Sequence, residues 1–185
     1  HHAAPARERG QFERRWPGQF IGQRCPCIGR HQPHPVAVGS GPFGGHPQRK
    51  AIEECPPGAV MVMDSRKDAR AASAGSILVT RLMKRGVAGV VTDGGFRDSA
   101  EIARLGFPAY HHRPSAPTNL TLHQAIDINV PIGCGDAPVF PGDVILGDSD
   151  GVVVIPANLA DEIAEEAYEM TAFEDFVTEQ VNNGM

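Results

Sequence analysis

Nowhere does the chain carry about 18 consecutive apolar residues, the length a membrane-spanning helix needs, so no span is expected. A positively charged start leading into an apolar stretch is also missing. No secretory signal is read, and a cytoplasmic location is the expectation. Positive charge is not in excess: 17 Lys and Arg stand against 22 Asp and Glu, a net charge of −5. That balance argues against direct nucleic-acid binding. The four cysteines (Cys25, Cys27, Cys55, Cys134) form no evenly spaced disulfide framework, which suits a reducing compartment. Aromatics are scarce, with eight Phe, two Tyr and one Trp, so Val, Ile, Leu and Ala must build the core. No internal repeat is present. A length of 185 residues fits one domain and is enough to bury a real core.

The first part of the chain differs from the rest. Residues 1–45 are crowded with Arg, Pro, Gly, His and Gln and show no apolar periodicity. His31 to Pro35 and Gly39 to Gly45 are unsuited to a helix or a central strand. The segment is expected to be irregular, either disordered or non-native sequence. Residues 46–185 read as a compact α/β domain. Ala59 to Met63 is a short apolar run after Pro56-Pro57-Gly58, a buried strand. Ser73 to Arg85 reads as a helix capped by Ser73 or Ser76, with i,i+4 pairs Leu78/Leu82 and Val79/Met83 and Gly86 closing it. Val87 to Thr92 is a strand apolar enough to be covered on both faces. A short helix over Asp98 to Leu105, a strand over Phe107 to Tyr110 and another over Ala125 to Val130 follow. Two turns, Pro141-Gly142-Asp143 and Gly147 to Gly151, frame a hairpin of Val144 to Leu146 with Val152 to Ile155. Pro156 opens a long acidic helix to about Val181, with Leu159, Ile163, Ala167 and Met170 as its apolar stripe. Strand–helix–strand followed by hairpins implies a mixed sheet, an open sandwich or a partly closed barrel.

Gly86 to Ile102, GVAGVVTDGGFRDSAEI, carries the chemistry. One reading of Arg97-Asp98 with Glu101 is a helix start, with acids at the positive dipole end and a capping arrangement. The other is a ligand site. A strand running into Gly94-Gly95 sets the next residues at the sheet edge, where α/β proteins bind ligands. The glycines let backbone approach a ligand closely. Arg97 suits two parallel hydrogen bonds to a carboxylate. Asp98 suits Mg²⁺ or Mn²⁺, which take oxygen ligands and keep several waters. Unpaired N–H groups over Gly75-Ser76-Ile77-Leu78 at a helix start suit the carboxylate of a 2-oxo acid.

The segment AGSILVTRLMKRGVAGVVTDGGFRDSAEIARLGFP, with PGDVILGDSDGVVVIP downstream, resembles the RraA-like family. That family contains regulators of ribonuclease activity A and class II 4-hydroxy-4-methyl-2-oxoglutarate aldolases. The resemblance covers about residues 46 to 180. It implies an α/β fold with a mixed β-sandwich or barrel-like core flanked by helices, ending in the long helix, and assembly as a homotrimer or hexamer. It implies a divalent-metal-dependent aldolase or decarboxylase of 4-hydroxy-2-oxo diacids or oxaloacetate, working through a pyruvate enolate. Arg97 would bind the 2-oxo acid part, Asp98 the metal, and the Gly75, Ser76, Ile77 and Leu78 backbone the pyruvyl carboxylate. Glu101 matches the family's acid three positions after the Asp. One position departs: the aldolases carry an acid separated from this Arg by twenty intervening residues, and here Ser76 stands at that place, twenty-one positions before Arg97. A serine is no base at neutral pH without activation, so turnover should suffer more than binding, unless Asp93 or Glu101 substitutes. The alternative function is a protein-binding inhibitor of an endoribonuclease, which needs neither metal nor Arg97-Asp98. A purely structural member is a third.

Other signals weigh less. Cys25-x-Cys27 with His31 and His34 has zinc-type residues, but one residue between cysteines is tight for a tetrahedral site. His111-His112 and His123 read as ordinary, partly exposed histidines. Asp143, Asp148 and Asp150 lack the spacing of a calcium loop and read as turn residues. Cys134, between two glycines, reads as packing. Glu162, Glu165, Glu166 and Glu169 read as a solvated helix face or a subunit contact.

Overall fold

The structure, a computed structural model, describes residues 20–23, 27–31 and 47–184. Its centre is a five-stranded sheet. The strands β2 (Cys27–His31), β3 (Val60–Met63), β5 (Gly89–Thr92), β7 (Ala109–Tyr110) and β9 (Gln124–Ile128) lie in the order β7-β5-β3-β2-β9. All neighbours are parallel except β9, which runs antiparallel to β2. The sheet is mixed, as the order of elements in the sequence implies.

Its two faces are both covered, and the strands show why. Side chains alternate along β3. Met61 and Met63 join one apolar cluster with Ala51, Ile52, Val79, Leu82 and Ile102. Val60 and Val62 join a second with Ile132, Val139 and Ile145. The first cluster belongs to three helices: α1 (Pro47–Glu54), α2 (Ser76–Lys84) and α3 (Ser99–Arg104). The second belongs to the hairpins β10 (Ile132–Cys134) with β11 (Ala137–Val139), and β12 (Val144–Gly147) with β13 (Val152–Ile155). Each fully buried Val or Leu contributes about 1.5–3 kcal/mol, so aliphatics sustain this core without aromatics. Cys55 is wholly buried there, and burial pushes its thiol up to about 11.

Several expectations need correction. Within the segment read as irregular, Cys27–His31 is a central strand and β1 (Phe20–Gln23) pairs with β12. Backbone hydrogen bonding to neighbours already in place makes these strands, and it needs no apolar periodicity in their own sequence. The rest of residues 1–45 lies outside the described residues, as do Cys25 and His34 of the zinc reading. The helix expected from Ser73 starts later, because Ala72–Ala74 forms a strand, β4. Its N-cap is Gly75 with no side-chain cap, so neither Ser73 nor Ser76 has the capping role. The long helix is present as α4 (Ala160–Asn182), but none of its residues is buried. Leu159 is 38% and Met170 62% exposed, while Ile163 and Ala167 are half-buried, so the described residues cover the expected stripe only in part. Asp143 accepts from Phe140 N and Ala157 N, and Asp148 from Asp150 N and Gly151 N, which makes them turn residues. Among the described residues no helix is long and apolar enough to cross a membrane.

The loop from β3 to β4 holds two consecutive left-handed residues, Arg66 (φ 52°) and Lys67 (φ 59°). Asp64 accepts from Arg66 N at 2.7 Å, and Asp93 accepts from Lys67 N at 2.9 Å, which holds the loop against the strain. Arg66→Gly keeps the backbone bond and removes the Cβ clash. It is expected to raise stability by about 0.5–1 kcal/mol, read as a higher urea midpoint at unchanged slope. A lower midpoint counts against strain at this position.

Candidate functional site

The site follows from one strand pairing. β4 lies parallel to β6 (Gly95–Phe96), with Ala74 opposite Phe96, and β8 (Arg113–Pro114) pairs on the other side of β6. Each of the two paired strands runs directly into a helix, β4 into α2 and β6 into α3. Two helix starts are thereby set side by side at the carboxyl ends of parallel strands, where α/β folds bind ligands. Arg97 N donates to Ala74 O at 3.1 Å and fastens the two strand ends together.

At this junction Gly75, Ser76, Arg97 and Asp98 meet. Asp98 is the N-cap of α3 but gives it no side-chain cap; its φ of 58° turns the backbone left-handed. Its carboxylate faces the start of α2 instead. Oδ2 accepts from Ser76 N at 3.2 Å and from the Ser76 hydroxyl at 3.3 Å. Arg97 Nε lies 3.5 Å from the same oxygen. Both side chains keep about 40% of their surface, 40% for Arg97 and 38% for Asp98. The capping reading of Arg97-Asp98 is therefore set aside, since the carboxylate spends its bonds on another helix. Gly75 has an ordinary extended backbone, φ −128°. What requires glycine is space: a Cβ there would sit 2.6 Å from Arg97 Nε and 2.8 Å from Asp98 Oδ2.

The remaining expected residues fall differently. Leu78 N donates to Gly75 O at 3.1 Å, so that amide is engaged within the helix start. Ile77 N has no acceptor among the described residues, and the Ile77 side chain is 77% exposed. Glu101 is exposed on the first turn of α3, with no hydrogen bond or ion pair from its carboxylate to Arg97 or Asp98. Asp93 is no substitute base. It is buried, and its oxygens accept from Ser65 N, Lys67 N and Gly135 N at 2.6, 2.9 and 3.2 Å. Gly94 and Gly95 stand where a side chain has no room. A Cβ at Gly94 would meet Ser65 Cβ at 2.6 Å, and one at Gly95 would meet Ser115 Cβ at 2.7 Å. Ser65, Ser73 and Thr92 form a hydroxyl cluster there, with Ser65 Oγ 2.6 Å from Ser73 Oγ. His111 stacks on Phe96 and accepts from its N–H at 3.4 Å.

Beside Arg97 opens a pocket of about 250 Å³. One wall is Ala74, Gly75, Ile77 and Leu78; of the residues expected at the site, Ser76 and Asp98 do not line this pocket. The facing wall is Gln48, Arg49, Thr118, Asn119 and Leu120, which no motif marks. Gln48, only 6% exposed, builds that wall. Its amide donates to Ser73 O and accepts from Asn119 Nδ2 at 2.5 Å. A buried glutamine leaves no periodic signal, so sequence reasoning had no handle on it.

Asp98 is the one residue here suited to a hard cation. Its Oδ1 has no hydrogen bond among the described residues, and Mg²⁺ commonly takes one or two carboxylates and keeps waters elsewhere. Among the described residues no group of three or more His, Cys, Asp and Glu comes together, so an ion here would take most of its ligands from water or substrate. The donor set fits Mg²⁺ or Mn²⁺ in that water-rich mode.

A family model described as RraA-like, Aldolase/RraA, matches residues 36–154. A protein of Halalkalibacterium halodurans named "Putative 4-hydroxy-4-methyl-2-oxoglutarate aldolase" is 37% identical over 118 residues, 64% of this chain and 56% of its own length. The chain spans about half to two thirds of the length of the curated relatives it matches. An uncharacterized Pseudomonas syringae protein shares the fold, with a TM-score of 0.78 at 21% identity over 91% of this chain and 76% of that one. Streptomyces coelicolor RraAS2, described as an unusual member of the RNase ES inhibitor RraA protein family, has a TM-score of 0.73 at 25% identity over 86% and 76% of the two chains.

Proposed function

This chain belongs to the Aldolase/RraA family, and we propose that it is a carbon–carbon lyase acting on 4-hydroxy-2-oxo diacids or oxaloacetate with Mg²⁺ or Mn²⁺. The observation that carries this reading is the junction of β4 and β6, which sets a guanidinium and a carboxylate around a glycine too tightly placed for any side chain. Arg97 binds the carboxylate of the 2-oxo acid, with the open Ile77 N–H beside it. Asp98 holds the cation, and the Ser76 hydroxyl steadies that carboxylate. A bound divalent cation supplies Lewis-acid polarisation of the 2-oxo group. The exposed apolar side chains of α4, Met170, Phe173 and Phe176 among them, support assembly as a homotrimer or hexamer.

The test is pyruvate release from oxaloacetate with Mg²⁺, with and without EDTA. Chelator-sensitive turnover is expected, at a low rate because Ser76 stands where the related aldolases carry an acid. Ser76→Asp sets a second carboxylate beside Asp98, where Ser76 Oγ now lies 3.3 Å away, and should raise the rate about tenfold or more. Turnover absent from both proteins rejects the lyase reading. A second reading has its own support, in Ser76 and in the likeness to a relative described with RNase ES inhibition. In that case the chain docks on an endoribonuclease, and inhibition of RNA cleavage persists in Asp98→Ala.

A further inference from the structure

The pocket carries two guanidinium side chains from unrelated parts of the chain, Arg97 after β6 and Arg49 in α1. Arg97 is partnered by Asp98. Arg49 has no ion pair among the described residues, although α1 satisfies its other charges. Lys50 faces Glu54 at 3.8 Å, and Glu53 binds Arg81 at 2.7 Å and Arg85 at 3.3 Å. The backbone that carries Arg49 is held firmly. Its neighbour Gln48 is buried and bonded to Ser73 O of β4 and to Asn119. Ser73 stands two residues before Gly75, so both pocket walls are tied to one strand. The rest of the lining carries no charge and mixes aliphatic Ile77, Leu78 and Leu120 with polar Gln48, Thr118 and Asn119.

We propose that Arg49 is a specificity-determining residue that receives the distal anionic group of the substrate, so that this pocket selects a short aliphatic dianion over a monoanion of equal length. The inference rests on Arg97 binding the 2-oxo acid end. A pocket of about 250 Å³, small beside the roughly 300–1,000 Å³ of sites for drug-sized ligands, suits such a chain. A lining cation without an ion pair among the described residues offers a charge-assisted hydrogen bond that a methyl group forfeits.

The test uses a matched pair, 2-oxoglutarate and 2-oxopentanoate, which differ by a carboxylate against a methyl. Binding of each to the full chain is measured by titration calorimetry with magnesium chloride present. The expected result is a preference for 2-oxoglutarate of about tenfold or more. Arg49→Gln should bring the ratio of the two Kd values to within about twofold, by weakening the diacid, and Arg49→Lys should keep part of the preference. Equal affinities in the unaltered protein, or a preference that survives Arg49→Gln, overturns the role of Arg49 alone. Failure of both ligands to bind overturns the 2-oxo acid reading of Arg97, and this inference with it.

Discussion

Asp98→Asn is expected to lower metal-dependent turnover of a 2-oxo acid by at least about 100-fold while the fold stays intact. Asparagine is the sharpest replacement because Asp98 sits at φ 58°, and asparagine tolerates the left-handed region better than other side chains. Its amide oxygen still accepts from Ser76 N and the Ser76 hydroxyl, so the packing between α2 and α3 survives. Asp98 gives α3 no side-chain cap, so no cap is lost. What disappears is the negative charge, and with it the proposed ligand for a divalent cation and the partner of Arg97. The stability change should stay within about 1 kcal/mol, since the Arg97–Asp98 pair is near 40% exposed and pairs of that kind contribute little. Calorimetric titration with Mg²⁺ or Mn²⁺ should show the loss of binding directly. Unchanged cation affinity and unchanged turnover would remove Asp98 from the proposed site.

Gly75→Ala is expected to abolish the same activity at near-normal stability. Most glycines that resist substitution do so through a positive φ. Gly75 does not, because its φ of −128° and ψ of 178° suit any residue. Alanine there even restricts the unfolded chain, which favours folding by up to about 1 kcal/mol. The added methyl, however, would occupy the space of Arg97 Nε and Asp98 Oδ2, at 2.6 and 2.8 Å, and would lie 3.0 Å from Arg97 Cγ. Cγ is close to the backbone, so the arginine must change rotamer rather than flex its tip. A displacement near 1 Å in a catalytic group costs roughly 100-fold in rate. Thermal unfolding together with oxaloacetate turnover separates the two effects. A variant that loses both points to a packing role for Gly75, and one that loses neither leaves the glycine without a part in the site.

Much of the architecture was legible from sequence. The apolar runs at Val60–Met63 and Gly89–Thr92 marked strands covered on both sides, because neither shows the polar alternation of a half-exposed strand. The hairpin of Val144–Gly147 with Val152–Ile155 followed from its turn residues. The resemblance pointed to Arg97 and Asp98. What sequence could not supply was the pair β4 and β6, three and two residues long and built of small side chains too few to show a period. The Ser73 start of α2 went wrong for that reason, since a strand lies where a helix turn was expected.

By itself the sequence determined which residue types the site contains, and that serine stands where an acid was expected, because chain order and chemistry are local properties. Only the tertiary structure decided how they meet. It turned the Asp98 carboxylate from its own helix to α2, committed Asp93 to the backbone of three loop residues, and brought Gln48 and Arg49 across from α1. Parallel pairing of two short strands brings together residues 22 positions apart, Ser76 and Asp98, and no local spacing encodes such a contact.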